Sequence, residues 1–237
     1  MIATMPLTAA QTTLLDAMID GASKALTLQH AMMDYEHDHV ETEYLITTKV
    51  AEELVEANTG RIRVEHPTKK LRSVLLRDKR YGKGSGKIPV PKIRSGRIDV
   101  VVFNDTSAII PNSMCEAKIK VRSFKSIEKD AVRFVNILRL LDAGKTPELF
   151  GVCLFPLVEA GTDLSKMRDK LQKRIQKIKA GISTFNTLHP LVETDFYDVK
   201  ITEFPPTKEL IDEGDPASGY ITMGYLTHLA AVTVVRR

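Results

Sequence analysis

Residues 149–158, LFGVCLFPLV, are apolar from end to end. A strand that reads this way is covered on both faces, which places it inside a sheet with helices above and below. The segments before it agree. Residues 124–142 carry Ile127, Ala131, Phe134, Leu138 and Leu141 at i, i+4, i+7, i+11 and i+14, the spacing of one helical face. Ahead of that helix a second strand runs from about Ser107 to Ile119, interrupted at Pro111-Asn112 and ending in MCEAKIKV. A helix between two strongly apolar strands predicts a crossover between parallel strands. The expected fold class is α/β, with a central mixed β-sheet flanked by helices.

The remaining elements fit around that unit. Residues 10–30 and 40–57 read as helices; in the second, Glu43, Ile46, Val50 and Leu54 share a face and Asn58-Thr59-Gly60 gives a stop. Residues 61–66, RIRVEH, read as a short strand, and GRIDVVVF as a strand dense in β-branched residues. Between them, residues 67–97 contain YGKGSGK and IPVPK and predict a mobile loop or an edge hairpin. Asp163 is a candidate N-cap for a helix over 163–180, with Leu164, Met167, Leu171, Ile175 and Ile178 inward and Lys166, Lys170, Lys173 and Lys177 outward. Two strands, FYDVKITEF and about ITMGYLTHLAAVTVV, follow, separated by a Pro/Gly/Asp-rich loop.

Composition excludes several classes. The chain is 237 residues long and 43% hydrophobic, which excludes disorder as its main state. Two cysteines exclude a disulfide scaffold. No run approaches the roughly 20 apolar residues of a membrane span, and MIATMPLTAAQTTLLDAM lacks the features of a signal peptide. The expectation is one domain in the cytoplasm, with no membrane partner. The net charge of +4 hides a split: residues 61–97 hold 13 Lys/Arg against Glu65 and Asp78, while the rest of the chain holds 21 basic and 28 acidic residues. So basic a segment suits a polyanion, or else is a solvated loop.

One constellation carries chemistry. Asp99 interrupts the apolar strand Arg97-Ile98-Asp99-Val100-Val101-Val102, and Glu116 and Lys118 flank Ala117 near the end of the next strand. Residues two apart on a strand share a face, so Glu116 and Lys118 emerge together, and Asp99 meets them if the strands pair. A buried charge costs several kcal/mol or more unless it is paired or binds a metal. Two carboxylates and a lysine at a sheet edge answer that cost by holding a divalent cation.

Asp99 followed by Glu116-Ala117-Lys118 resembles the PD-(D/E)xK nuclease superfamily, whose fold is the restriction-endonuclease-like core. The resemblance covers about residues 40–158, with Ile98 standing where the family's name-giving proline would be. It implies Mg²⁺- or Mn²⁺-dependent hydrolysis of DNA phosphodiesters. Asp99, Glu116 and the Ala117 carbonyl would bind the metal, and Lys118 would orient the attacking water. The further helix acid of the family corresponds to Glu43, which shares the apolar face, or to Glu41, which does not; one metal or two remain open. Lys69, Lys70, Arg72, Arg77, Lys79, Arg80, Lys83, Lys87 and Arg97 would then line the approach of DNA. Lys125, Lys129 and Arg133, a basic stripe on the following helix, would extend that track. Residues 159–237 would supply a dimer interface, a specificity element or a docking surface for a partner, and the family implies a homodimer. A non-catalytic nucleic-acid-binding protein on the same fold is the competing reading.

Other signals read as bland. YGKGSGKIP is no phosphate loop, because Tyr81 stands where a glycine is required and Ile88 follows Lys87. His37-Asp38-His39 reads as a solvated helix start, and Cys115 and Cys153 as buried thiols.

Overall fold

The computed structural model describes residues 7–33, 42–75, 95–104, 110–140, 148–210 and 220–237. In chain order the elements are α1 (Ala9–Met33), α2 (Thr42–Glu56), β1 (Arg61–Pro67), α3 (Thr68–Leu75), β2 (Arg97–Phe103), β3 (Pro111–Ala117), a 3-10 turn (Phe124–Ser126), α4 (Glu128–Leu140), β4 (Phe150–Gly161), α5 (Leu164–Leu188), β5 (Val192–Leu210) and β6 (Tyr220–Arg236). The strands form one six-stranded sheet in the order β1-β2-β3-β4-β6-β5. The β3–β4 pair is parallel and is joined through α4, as the crossover pattern predicts; the other pairs are antiparallel. The protein is α/β, with a mixed sheet flanked by helices.

Alternation along β4 explains the layering. Cys153, Phe155 and Leu157 pack with Phe134, Leu138, Leu171 and Ile175 on the face covered by α4 and α5. Phe150, Val152 and Leu154 pack with Met18, Ala22, Ile46 and Val50 on the face covered by α1 and α2. Both faces of β4 are therefore buried, which is why its sequence is continuously apolar. Glycine allows two of the closest approaches. A Cβ on Gly151 would lie 2.4 Å from the Phe134 ring, and one on Gly21 would lie 2.6 Å from the Lys49 carbonyl of α2.

Several boundaries differ from expectation. Part of the stretch expected to be a loop or edge hairpin is instead α3, an eight-residue helix whose Leu71 is buried. β3 ends at Ala117, two residues before its expected end at Ile119, although the Lys118 N–H still bonds the Leu154 carbonyl at 2.9 Å. α5 runs on to Leu188, and its Asp163 cap accepts from the Lys166 N–H at 3.1 Å. β6 lies between β4 and β5, so the tail's strands extend the central sheet. Among the described residues no helix is long and apolar enough to cross a membrane.

Candidate active site

β2 and β3 pair antiparallel with Val100 opposite Cys115, which brings Asp99 beside the end of β3. The contact is direct: Asp99 Oδ2 accepts from the Ala117 N–H at 2.8 Å. The chain leaves the strand at Lys118, and its ammonium turns back over the acids. Lys118 Nζ lies 2.9 Å from the Ala117 carbonyl oxygen, 3.3 Å from Glu116 Oε2 and 3.4 Å from Glu43 Oε1. Glu43 reaches the cluster from the first turn of α2, whose Ile46, Val50 and Leu54 seat that helix on the sheet. The four sequence-predicted residues Asp99, Glu116, Lys118 and Glu43 are thus brought together, along with the Ala117 carbonyl. Glu41 lies outside the described residues.

Two further members come from α4. Asp130 and Arg133 are both buried. Arg133 Nη1 grips Glu116 Oε1 and donates to the Arg97 carbonyl at 3.0 Å, while its Nη2 lies 3.0 Å from Asp130 Oδ1. Asp130 Oδ2 is 3.9 Å from Lys118 Nζ. The expectation that Arg133 belongs to an outward basic track is therefore corrected. Its helix is rotated so that Arg133 meets the one carboxylate that β3 presents on that face. Ile137 carried the missed signal: it is apolar and buried, four residues after Arg133, and it widens the inward face of α4 to include Asp130 and Arg133.

Burial sets the electrostatics. Desolvation pushes the Asp99 carboxyl above its usual range, against the pull of the Ala117 N–H and Lys118. Glu116 is pushed up to about 8, first by burial and then by the charge of Asp99, with Arg133 and Lys118 pulling the other way. Burial alone would lower the pKa of Lys118, but Glu116, Asp99, Asp130 and Glu43 outweigh it, so the ammonium stays charged. With all groups ionised, four acids face two cations and the cluster is doubly negative.

Comparison of the chain with family models, curated proteins and solved structures finds no match. The chemistry of the site therefore rests on its own geometry. Among the described residues, no three His, Cys, Asp or Glu side chains gather into a metal site by themselves. The oxygens that do converge belong to Glu43, Glu116 and the Ala117 backbone, and the Lys118 ammonium stands among them. Hard, anionic and carbonyl oxygens of this kind fit Mg²⁺, which binds through a few carboxylates and keeps several waters.

The surroundings are basic in part. A cavity of about 330 Å³ is lined by Thr42 and Ile119, the chain neighbours of Glu43 and Lys118, and by Lys120, Arg122, Pro156 and Arg174. Lys120 and Arg122 are exposed and were not among the expected DNA contacts. Of those that were, Lys69 and Lys70 are exposed on α3, Lys125 is exposed in the 3-10 turn before α4 and Lys129 in the first turn of α4, and Arg72 lies on α3. Arg97 is exposed and pairs with Glu65 at 3.2 Å. Arg77, Lys79, Arg80, Lys83 and Lys87 lie outside the described residues, as does His37-Asp38-His39. Cys115 and Cys153 are free and buried, on opposite faces of the sheet.

Proposed function

We propose that this protein is a divalent-metal-dependent DNA endonuclease that hydrolyses phosphodiester bonds in the manner of the PD-(D/E)xK nucleases. The observation that carries the reading is the Asp99 carboxylate on the Ala117 amide, which joins the strand acid to the Glu-Ala-Lys triplet at one corner of the sheet. Asp99, Glu116, Glu43 and the Ala117 carbonyl would hold Mg²⁺ or Mn²⁺. A metal bound there supplies charge to a phosphate oxygen and a more acidic water. Lys118, kept charged by the surrounding carboxylates, orients the attacking water and offsets the negative charge that builds on the phosphate. Lys120 and Arg122 in the cavity lined by the chain neighbours of Lys118 and Glu43, with Lys69, Lys70, Lys125 and Lys129, offer cations to the DNA backbone. A cytoplasmic setting and a homodimer belong to the same reading.

The test is plasmid cleavage by the purified chain in Mg²⁺, Mn²⁺ or EDTA. Cleavage is expected with metal and not in EDTA. Asp99→Ala and Lys118→Ala should each lose about a hundred- to a thousandfold in rate, the scale of a group lost from the charge-stabilising machinery. Full activity in folded Asp99→Ala would sink the assignment. The competing reading, a nucleic-acid-binding protein without turnover, draws support from one feature: Lys118 and Arg133 already pair with the acids. It predicts salt-dependent DNA binding and an intact plasmid under every metal condition.

A further inference from the structure

Each of the two strand acids has one oxygen already committed to the chain. Asp99 Oδ2 is held by the Ala117 N–H. Glu116 Oε1 is held by Arg133, and Arg133 is fixed at two further points, Asp130 Oδ1 and the Arg97 carbonyl oxygen, each at 3.0 Å. The guanidinium and the Asp130 carboxylate are buried, so neither swings out to solvent. The Arg97 contact also ties the guanidinium to β2, two residues before Asp99. The other oxygen of Glu116, Oε2, takes the Lys118 ammonium at 3.3 Å, on the side of the Ala117 carbonyl, and is the one a cation could reach by displacing that ammonium.

The number of oxygens a carboxylate offers bears on which cation it suits. Ca²⁺ takes about six to eight oxygen ligands and accepts both oxygens of one carboxylate. Mg²⁺ demands a near-octahedral set with short bonds, and one oxygen per carboxylate suits it. We infer that Arg133, anchored by Asp130, is a specificity-determining residue that denies a bound cation the second oxygen of Glu116 and so selects Mg²⁺ over Ca²⁺. This selection presupposes the metal site proposed above, but not the cleavage of DNA.

The experiment is a competition on the full chain. Mn²⁺ bound to the protein is followed by electron paramagnetic resonance and displaced by Mg²⁺ or by Ca²⁺. The ratio of the two displacement constants cancels the charge change that loss of Arg133 brings, because both competitors are divalent. In Arg133→Met the ratio should move toward Ca²⁺ by about tenfold or more, the scale on which outer partners of metal ligands act. Arg133→Lys can still cover Oε1 and should stay close to wild type. A purely structural role for Arg133 would lower the melting temperature and leave the ratio alone. Should Arg133→Met fail to fold, Asp130→Asn loosens the same anchor and carries the test, with a smaller shift in the same direction. An unmoved ratio in folded Arg133→Met, or in Asp130→Asn where it stands in, overturns the selection. A wild-type chain that takes up no divalent cation overturns both the selection and the metal site. A shifted ratio in a chain that cuts no DNA keeps the selection and removes the nuclease reading alone.

Discussion

Helices α4 and α5 each bring cations at helical spacing, and the molecule uses them in opposite ways. On α5, Lys166, Lys170, Lys173 and Lys177 are all exposed, and Lys166 pairs with Asp163 at the surface, 3.3 Å away. Lys125, in the 3-10 turn that leads into α4, and Lys129 on α4 are exposed, but Arg133 is buried between Glu116 and Asp130. The helices themselves do not make this difference; the sheet beneath them does. Under α5 lie apolar residues such as Phe155 and Leu157, whereas under α4 β3 presents Glu116. A cation on an amphipathic helix turns inward where the opposing strand carries an acid that needs it, and stays in water elsewhere.

Stability separates the two helices most strongly. Arg133→Ala leaves Glu116 and Asp130 buried with Lys118 as their one remaining cation among the described residues, and breaking a buried pair from one side costs about 3–5 kcal/mol. Lys170→Ala removes a solvated charge and should change stability by no more than about 0.5 kcal/mol. Urea unfolding of the two variants reads both numbers. A loss below about 1 kcal/mol for Arg133→Ala would place it with the surface lysines and break the contrast.

Acid titration should distinguish the same two regions by sign. Glu116 is raised from 4.5 to about 8, by burial and by Asp99, and Asp99 moves in the same direction. Between those values the folded chain holds protons that the unfolded chain has released. Stability from this corner therefore falls as pH rises from about 5 to about 8. Asp163 at the start of α5 behaves in the opposite way. Its carboxyl is lowered by the Lys166 backbone N–H it accepts from, so its contribution is present above its unfolded pKa and lost as pH falls. Melting curves in EDTA should show wild type losing stability toward pH 8 relative to Glu116→Gln, with Mg²⁺ restoring it there. Parallel pH profiles for wild type and Glu116→Gln would remove the burial argument for Glu116.

The contrast also marks what the sequence discloses. The sheet is legible because an apolar run such as 149–158 has one comfortable environment, and β4 occupies it. The Asp99–Glu116–Lys118 meeting is legible because period-two geometry and strand pairing are local rules. Arg133 is not legible from the i, i+4 spacing that groups it with Lys125 and Lys129; that spacing says which residues share a stripe and nothing about what faces it. Only the joint pattern of Asp130, Arg133 and the buried Ile137 reveals the turn of the helix. α3 escapes for another reason. TKKLRSVL sits among residues that break helices, and its three apolar residues, Leu71, Val74 and Leu75, are too short a pattern to outweigh them.

The smallest expected effect concerns DNA. Lys120 and Arg122 line the cavity together with Thr42 and Ile119, the chain neighbours of Glu43 and Lys118, whereas α5 contributes to it only Arg174, which is already engaged by the Val158 carbonyl at 2.9 Å and by Glu159 at 3.1 Å. If the backbone of a DNA strand runs through that cavity, Lys120 and Arg122 each neutralise a phosphate and release its counterions. Each such contact contributes about 0.9 to the slope of log K against log salt. Lys120→Gln with Arg122→Gln should therefore lower the slope by about 2 and weaken binding at low salt. Lys170→Gln with Lys173→Gln, the same loss of charge on the outer face of α5, should leave the slope where it is. Fluorescence anisotropy across a salt series, in Ca²⁺ or EDTA to prevent turnover, measures both pairs side by side. Equal slopes for the two double variants would show that the cavity holds no phosphate and that the cations of the two regions differ in burial but not in partner.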